Sequence, residues 1–315
     1  MPRHRHDLPQ RTDRVFLTDG GIETTLIFDD GLDLPDFAAF PLLTTRAGRA
    51  ALTRYFESYA RIAQRDRAGL VLETPTWRAS ADWGARLGYT LEQLEEANRA
   101  SVALVDAVRR EFEGPANPIV VSGCVGPRGD GYQPGELMSA EEAQAYHAPQ
   151  IRTFAGTDAD LVTAMTLTYP AEAVGIANAA RDAGLPVVLS FTVETDGALP
   201  SGQSLADAVR AVDDATGAYP AYYMINCAHP DHFRHVLEPG APWTARIRGL
   251  RANASRLSHA ELDAADELDT GDPVELATLY EQLRADHRTL TVLGGCCGTN
   301  TAHTEAISTA CTTPS

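Results

Sequence analysis

The chain has 315 residues, 44% apolar and 22% charged, an average soluble composition able to build a core without disulfide staples. Its 26 basic side chains against 43 acidic ones leave a net charge of −17, which repels phosphate backbones and argues against nucleic-acid binding. All 26 basic residues are arginine, and the absence of lysine excludes a Walker A loop, a pyridoxal Schiff base and a lysine-dependent aldolase.

Residues 1–13 are polar and without periodicity; they are expected to be flexible, and they lack the apolar stretch of a secretory leader. An apolar run over Val15–Gly21 predicts the first strand. Arg46–Arg67 follows as an amphipathic helix, with Leu52, Tyr55, Phe56, Tyr59, Ile62 and Ala63 on one face. A strand at Leu70–Thr76, a helix at Leu91–Phe112 and a strand at Pro118–Gly123 come next. The alternation continues with helix Ala140–Ala155, strand Asp160–Leu167, helix Ala171–Ala183, strand Pro186–Val193 and helix Leu205–Ala215. It ends on strands Ala221–Cys227, Ile247–Ala252 and Leu290–Gly294, with helices Pro273–Arg284 and Thr301–Ser308. Gly69 and Gly184 each follow a helix, where a left-handed C-cap is wanted.

Eight short strands alternating with helices in about 300 residues fit a closed α/β barrel, a (β/α)8 TIM-type fold, better than an open sheet. No linker divides the chain, so residues 1–315 are expected to form one domain. The turn-rich segments Gly126–Gly135 and Glu194–Gly202, and the acidic stretch Glu261–Asp272, read as loops inserted on that barrel. No apolar run approaches membrane-spanning length, and five cysteines including an adjacent pair suit a cytoplasmic protein with reduced thiols. Self-association as a homo-oligomer is left open.

Barrel active sites form where strands end, and the cysteines gather there. Cys227 closes the sixth predicted strand, and Cys296 and Cys297 close the eighth. Soft thiolates favour zinc, and three protein ligands leave one tetrahedral position open, as in catalytic sites. Such a centre binds an incoming thiol as thiolate, whereas a free thiol is only a few per cent ionised at pH 7. Gly294, Gly295 and Gly298 would permit the bend that aims two adjacent cysteines at one ion. A redox pair formed by Cys296 and Cys297 is the competing reading, though the spacing is not Cys-x-x-Cys.

Five segments together resemble the homocysteine S-methyltransferase family: Thr18-Asp-Gly-Gly-Ile-Glu-Thr-Thr-Leu26, Ser122-Gly-Cys-Val-Gly-Pro127, Ser190-Phe-Thr192, Ile225-Asn-Cys227 and Gly294-Gly-Cys-Cys-Gly-Thr299. The resemblance implies a zinc-bearing barrel that moves a methyl group from a small donor to a small-molecule thiol, homocysteine in the first instance. It further implies Cys227, Cys296 and Cys297 as catalytic zinc ligands, and Asp19, Gly20 and Gly21 as a loop at the substrate. The family usually carries an acidic residue at the end of the fourth strand to hold the substrate ammonium. Met165 stands there in this chain, so Glu23, Glu73 or Glu194 must take the task, or the acceptor is a different thiol.

Asn226 and Asn253 sit at strand ends as candidate substrate contacts or turn residues. Cys124 and Cys311 read as buried, and His229, His232 and His235 as ordinary helix residues. The donor would be a sulfonium such as S-methylmethionine or S-adenosylmethionine, or a betaine-like cation caged by Trp77, Trp83, Tyr89 and Tyr132.

Overall fold

A computed structural model describes residues 1–265 and 267–312. Strands β1 (Phe16–Leu17), β2 (Gly69–Glu73), β3 (Ile119–Val125) and β4 (Leu161–Leu167) run parallel to β5 (Val187–Phe191), β6 (Tyr222–Asn226), β7 (Ile247–Ala252) and β8 (Val292–Gly295). Each pairs with its neighbour in chain order and β8 returns to β1, closing the expected (β/α)8 barrel. Strands buried on both faces are why the sequence shows short continuous apolar runs rather than alternation. The major helices are Arg46–Asp66, Leu91–Phe112, Ala140–Ala155, Pro170–Asp182, Leu205–Thr216, Pro273–Asp286 and Thr301–Thr312. Thr45, Thr90, Ser139, Ser204 and Asp272 cap five of them with side-chain oxygens, which sets where these helices begin.

Two glycines expected as caps part company. Gly184 is left-handed, with φ +65°, just past its helix. Gly69 is not a cap: Arg67 takes the left-handed position at φ 56°, and Gly69 opens β2. A side chain on Gly69 would collide with the ring of Phe16 across the sheet, so close packing explains this glycine.

The barrel interior has two storeys. Its lower half is apolar, built from Phe16, Val71, Val120, Leu161, Val188, Tyr222, Met224 and Val292, with Leu8 packed beneath. Its upper half is polar, with Asp19, Glu73, Ser122, Thr163, Ser190 and Arg251 all buried. The N-terminal segment is not the flexible tail expected for residues 1–13. The backbone N–H groups of Arg3 and His4 donate to Asp160 Oδ1, both at 2.8 Å, and the Arg5 guanidinium donates to the carbonyls of Ala155, Thr157 and Ala159. Gln10 is fully buried at the floor. Polar residues meeting buried acceptors, without any apolar periodicity, are what the sequence reading could not register.

At the opposite end the loops build the mouth. The stretch expected as a plain loop over Glu261–Asp272 instead begins with the last residues of a short helix, His259–Asp263, capped by Ser258. Asp266 within it lies outside the described residues. Among the described residues no helix is long and apolar enough to cross a membrane.

Candidate active site and metal centre

Cys227 follows β6, and Cys296 and Cys297 follow β8, so barrel closure brings together thiols 69 residues apart in sequence. The three sulfurs lie within 4.8 Å of one another. Cys227 and Cys296 are drawn together as a disulfide, with Cα atoms 5.4 Å apart, and the Cys297 sulfur is 3.9 Å from that of Cys227. The bonded pair joins the ends of β6 and β8 across the barrel, and the adjacent Cys296 and Cys297 are not bonded to each other.

The turn carrying the pair is fully hydrogen-bonded. Cys296 N–H donates to Ala252 O, Cys297 N–H to the side chain of Asn253, and Ala254 N–H to Cys297 O. Asn253 therefore serves the cysteine turn through its side-chain oxygen. Gly294 and Gly295 are needed for space, because a side chain there would strike Thr18 and Thr299 respectively. Of the flanking glycines only Gly298, at φ +77°, supplies the unusual dihedral expected of all three. Cys227 itself has φ 54°, a strained position for a residue with a side chain, and the structure holds it there. Its carbonyl accepts from His259 Nε2 at 2.6 Å, and its N–H donates to Arg251 O.

Tyr132, from the Gly126–Gly135 loop, places its hydroxyl 3.6 Å from the sulfurs of both Cys227 and Cys297. Its ring lies 4.3 Å from that of His259, whose Nδ1 faces Glu194 at 3.2 Å. His259 went unnoticed in the sequence, where nothing about its spacing points to Cys227. Burial holds the Cys297 thiol above its ordinary pKa, against the lowering effect of the Tyr132 hydroxyl. Three thiols in such a desolvated pocket become thiolates only beside a compensating cation. The donor set therefore fits a thiophilic dication, with Cys227, Cys296 and Cys297 as its holders once the disulfide is reduced.

Asp19, after β1, pairs with Arg251 at 2.7 Å and accepts from Tyr55 at 3.0 Å; burial raises its pKa and Arg251 opposes the rise. Gly20 and Gly21 run under the cysteine turn. A side chain on Gly20 would meet Tyr59 and Thr299, and one on Gly21 the Cys296 carbonyl. This loop is thus at the site, though Asp19 already spends its charge on Arg251. Asn226, expected at the substrate, is 1% exposed and turned into the polar upper interior of the barrel, where its amide is engaged by neighbouring strands. Its Oδ1 accepts from Thr166 N–H and Ser190 Oγ, and its Nδ2 donates to Thr166 Oγ1. Thr166, at φ 62°, is the residue so clamped.

Three glutamates were candidates for an ammonium partner. Glu73 lies deep, in contact with Ser122 and Thr163, and Glu194 is engaged with His259. Glu23 sits in the single helical turn Ile22–Thr24 and makes no ion pair among the described residues. Burial pushes its pKa up to about 7, the neighbouring Asp19 adding to the rise, while Arg251 and Arg78 oppose it. Glu23 in turn acts electrostatically on Cys297 and Tyr132, so it lies within reach of the cluster's charge. Cys124 is buried in β3, and Cys311 on the last helix, away from the mouth. His229 caps a short helix through Nδ1 and, desolvated, drops to about 4; it holds no place in the sulfur cluster.

A closed (β/α)8 barrel whose strand ends gather three cysteine sulfurs under a tyrosine has the make-up of an enzyme site that could hold a thiophilic metal. The homocysteine S-methyltransferase family model matches residues 16–311, and the chain belongs to that family. It is a thiol S-methyltransferase. Among solved structures it is similar to the homocysteine methyltransferase MmuM from Escherichia coli in its oxidised form (TM-score 0.77, 22% identity, covering 96% of this chain and 97% of that one). The metallated form of the same protein matches with TM-score 0.75 and 21% identity, over 96% and 98% of the two chains. At that identity the likeness concerns the fold. No curated protein sequence matches the chain.

Proposed function

We propose that this enzyme uses zinc, held by Cys227, Cys296 and Cys297, to transfer a methyl group from a sulfonium donor to homocysteine. The observation that carries the reading is the cluster of three sulfurs within 4.8 Å at the ends of β6 and β8. Bound there, zinc would supply the positive charge that keeps an acceptor thiol ionised at neutral pH. The chain's own residues do the rest. Tyr132 covers the cluster and limits water, and the cysteine turn, pinned by Asn253 and Thr299, fixes where the acceptor sulfur must sit. In the transfer, a lone pair of the acceptor sulfur forms the new S–C bond. The donor S–C bond breaks with its electron pair, leaving an uncharged thioether, so no general base is required at that step.

Glu23 takes the ammonium of the acceptor in place of the acidic residue that Met165 replaces. A sulfonium is favoured over a betaine-like donor because the aromatic residues form no empty cage. Trp77 and Trp83 already enclose the Arg78 guanidinium, and Tyr89 packs on Phe40 at 4.9 Å.

The test is reduced, zinc-loaded protein given homocysteine or 4-mercaptobutanoate with S-methylmethionine or S-adenosylmethionine, and mass detection of the methylated thiol. Methionine should form with at least one sulfonium donor, and E23Q should raise the KM for homocysteine at least tenfold while leaving that for 4-mercaptobutanoate unchanged. Equal effects of E23Q on both thiols would remove Glu23 from ammonium recognition.

A further inference from the structure

Three arginines are buried among the described residues, Arg78, Arg109 and Arg251. Two have carboxylate partners: Arg109 lies between Asp106 and Asp160, and Arg251 binds Asp19. Arg78 has none. It is 6% exposed, makes one hydrogen bond, from Nη1 to Gly129 O at 3.2 Å, and forms no ion pair among the described residues. Its buried Nε–H has no partner at all. The guanidinium is stacked between the rings of Trp77, 3.9 Å from the centroid, and Trp83, at 3.5 Å.

Aromatic faces orient a guanidinium, but they leave its in-plane donors free and cover less of the desolvation cost than a carboxylate would. That cost shows in its pKa, which burial pushes down to about 10. The group still carries its charge at neutral pH. A buried cation with unmade hydrogen bonds in its own plane is a receptor for a planar anion.

Its place in the fold says which anion. Gly131 lies against both Trp77 and Thr166 at the mouth, and the next residue of that loop, Tyr132, is 3.6 Å from the Cys227 and Cys297 sulfurs. Glu23 acts electrostatically on both Arg78 and Cys297, so the carboxylate is within reach of the cation and of the thiols.

We propose that Arg78 is the carboxylate receptor of this site, gripping the carboxylate of a small substrate whose sulfur reaches the cysteine cluster. The assignment rests on the methyltransferase reading above and adds a recognition element to it. Thiols, the Glu23 carboxylate and the Arg78 guanidinium gathered at one mouth match a sulfur-containing α-amino acid. The acceptor homocysteine and a donor such as S-methylmethionine both carry that group, and the guanidinium would treat either alike.

The experiment is titration calorimetry on the reduced, zinc-loaded full-length protein, wild type against R78M and R78K. One pair of probes is homocysteine and 3-aminopropane-1-thiol, which has the thiol and amine but no carboxylate. The other is S-methylmethionine and (3-aminopropyl)dimethylsulfonium, which has the sulfonium and amine but no carboxylate. Wild type should prefer the carboxylate-bearing member of at least one pair by about thirtyfold or more. R78M should erase that preference by weakening only the carboxylate-bearing member, and R78K should keep part of it. Loss confined to the sulfonium pair assigns the carboxylate to the donor; loss confined to the thiol pair assigns it to the acceptor.

If the stacked arginine merely held the Gly126–Gly135 loop in place, both members of a pair would weaken together, and that result overturns the proposal. If R78M does not fold, R78K decides alone: an undiminished preference overturns the assignment. Thiol binding with no effect of Arg78 variants sinks this inference and spares the methyltransferase reading, whereas no thiol binding by wild type removes both.

Discussion

Glu73 ends β2 at the boundary between the apolar and polar halves of the barrel, in contact with Ser122 and Thr163 and with one oxygen unpartnered. Burial pushes its pKa up to about 7, with Arg251 opposing, from an unfolded value near 4.5. Between those two values the folded chain keeps a proton that the unfolded chain has released. Folding stability therefore falls as pH rises from about 4.5 to about 7 and stays lower above it. E73Q should lift this penalty, gaining about 2–3 kcal/mol relative to wild type on going from pH 4.5 to pH 8. Denaturant unfolding of both proteins at the two pH values checks this; identical pH dependence would refute it.

The same scale governs the metal. Cys227 and Cys296 can serve as ligands only after reduction, so protein treated with reductant should take up about one zinc per chain. Protein kept oxidised should take up little. Replacing Cys296 and Cys297 together by serine should abolish uptake, measured by elemental analysis. Zinc retained undiminished in that double variant would show that the cluster is not the site.

Asn226 and Thr166 form one unit at the level of elements, joining the ends of β4 and β6. Asn226→Ala leaves the Thr166 N–H without its acceptor, strips Ser190 Oγ and frees a threonine at φ 62°. Several buried hydrogen bonds lost at once should cost about 2–4 kcal/mol of stability, with the mouth loosened as a consequence. A variant of native thermal stability but impaired substrate binding would restore Asn226 to the substrate contact expected from its position.

That residue illustrates what the sequence could and could not reveal. All eight strands were legible, because parallel strands buried on both faces are short uninterrupted apolar runs, and the caps and helical periodicity framed the helices. The sulfur cluster was legible too, since strand ends are where barrels build sites and two cysteines were adjacent there. The partners of those residues were not. The Asn226 amide meets Thr166 within the stretch where the β4 register shifts between Ala164 and Leu167, an irregularity with no sequence signature. His259 on Cys227 O, Tyr132 over the sulfurs and the unpaired state of Arg78 arise from contacts between distant loops, which leave no periodic trace.

Across the whole molecule the two ends of the barrel have separate tasks. The strand C-termini carry the thiols, Glu23 and Arg78; the opposite end is closed by the first ten residues, with Leu8 under the apolar layer and Gln10 sealed at the floor. Deleting residues 1–10 would expose Leu8's neighbours, worth about 2 kcal/mol for one buried leucine, and would strip the Arg3, His4 and Arg5 bonds to Asp160 and the Ala155–Ala159 carbonyls. Destabilisation of about 3 kcal/mol or more should follow, read as a lower denaturation midpoint. Zinc content and methyl transfer per folded molecule should stay within about twofold of wild type, because stability resides at this face and chemistry at the other. A truncated chain that folds as firmly as wild type would return residues 1–13 to the flexible tail the sequence suggested. One that folds but loses zinc would show that the floor also sets the geometry of the mouth, through the buried Asp19–Arg251 pair that lies between them.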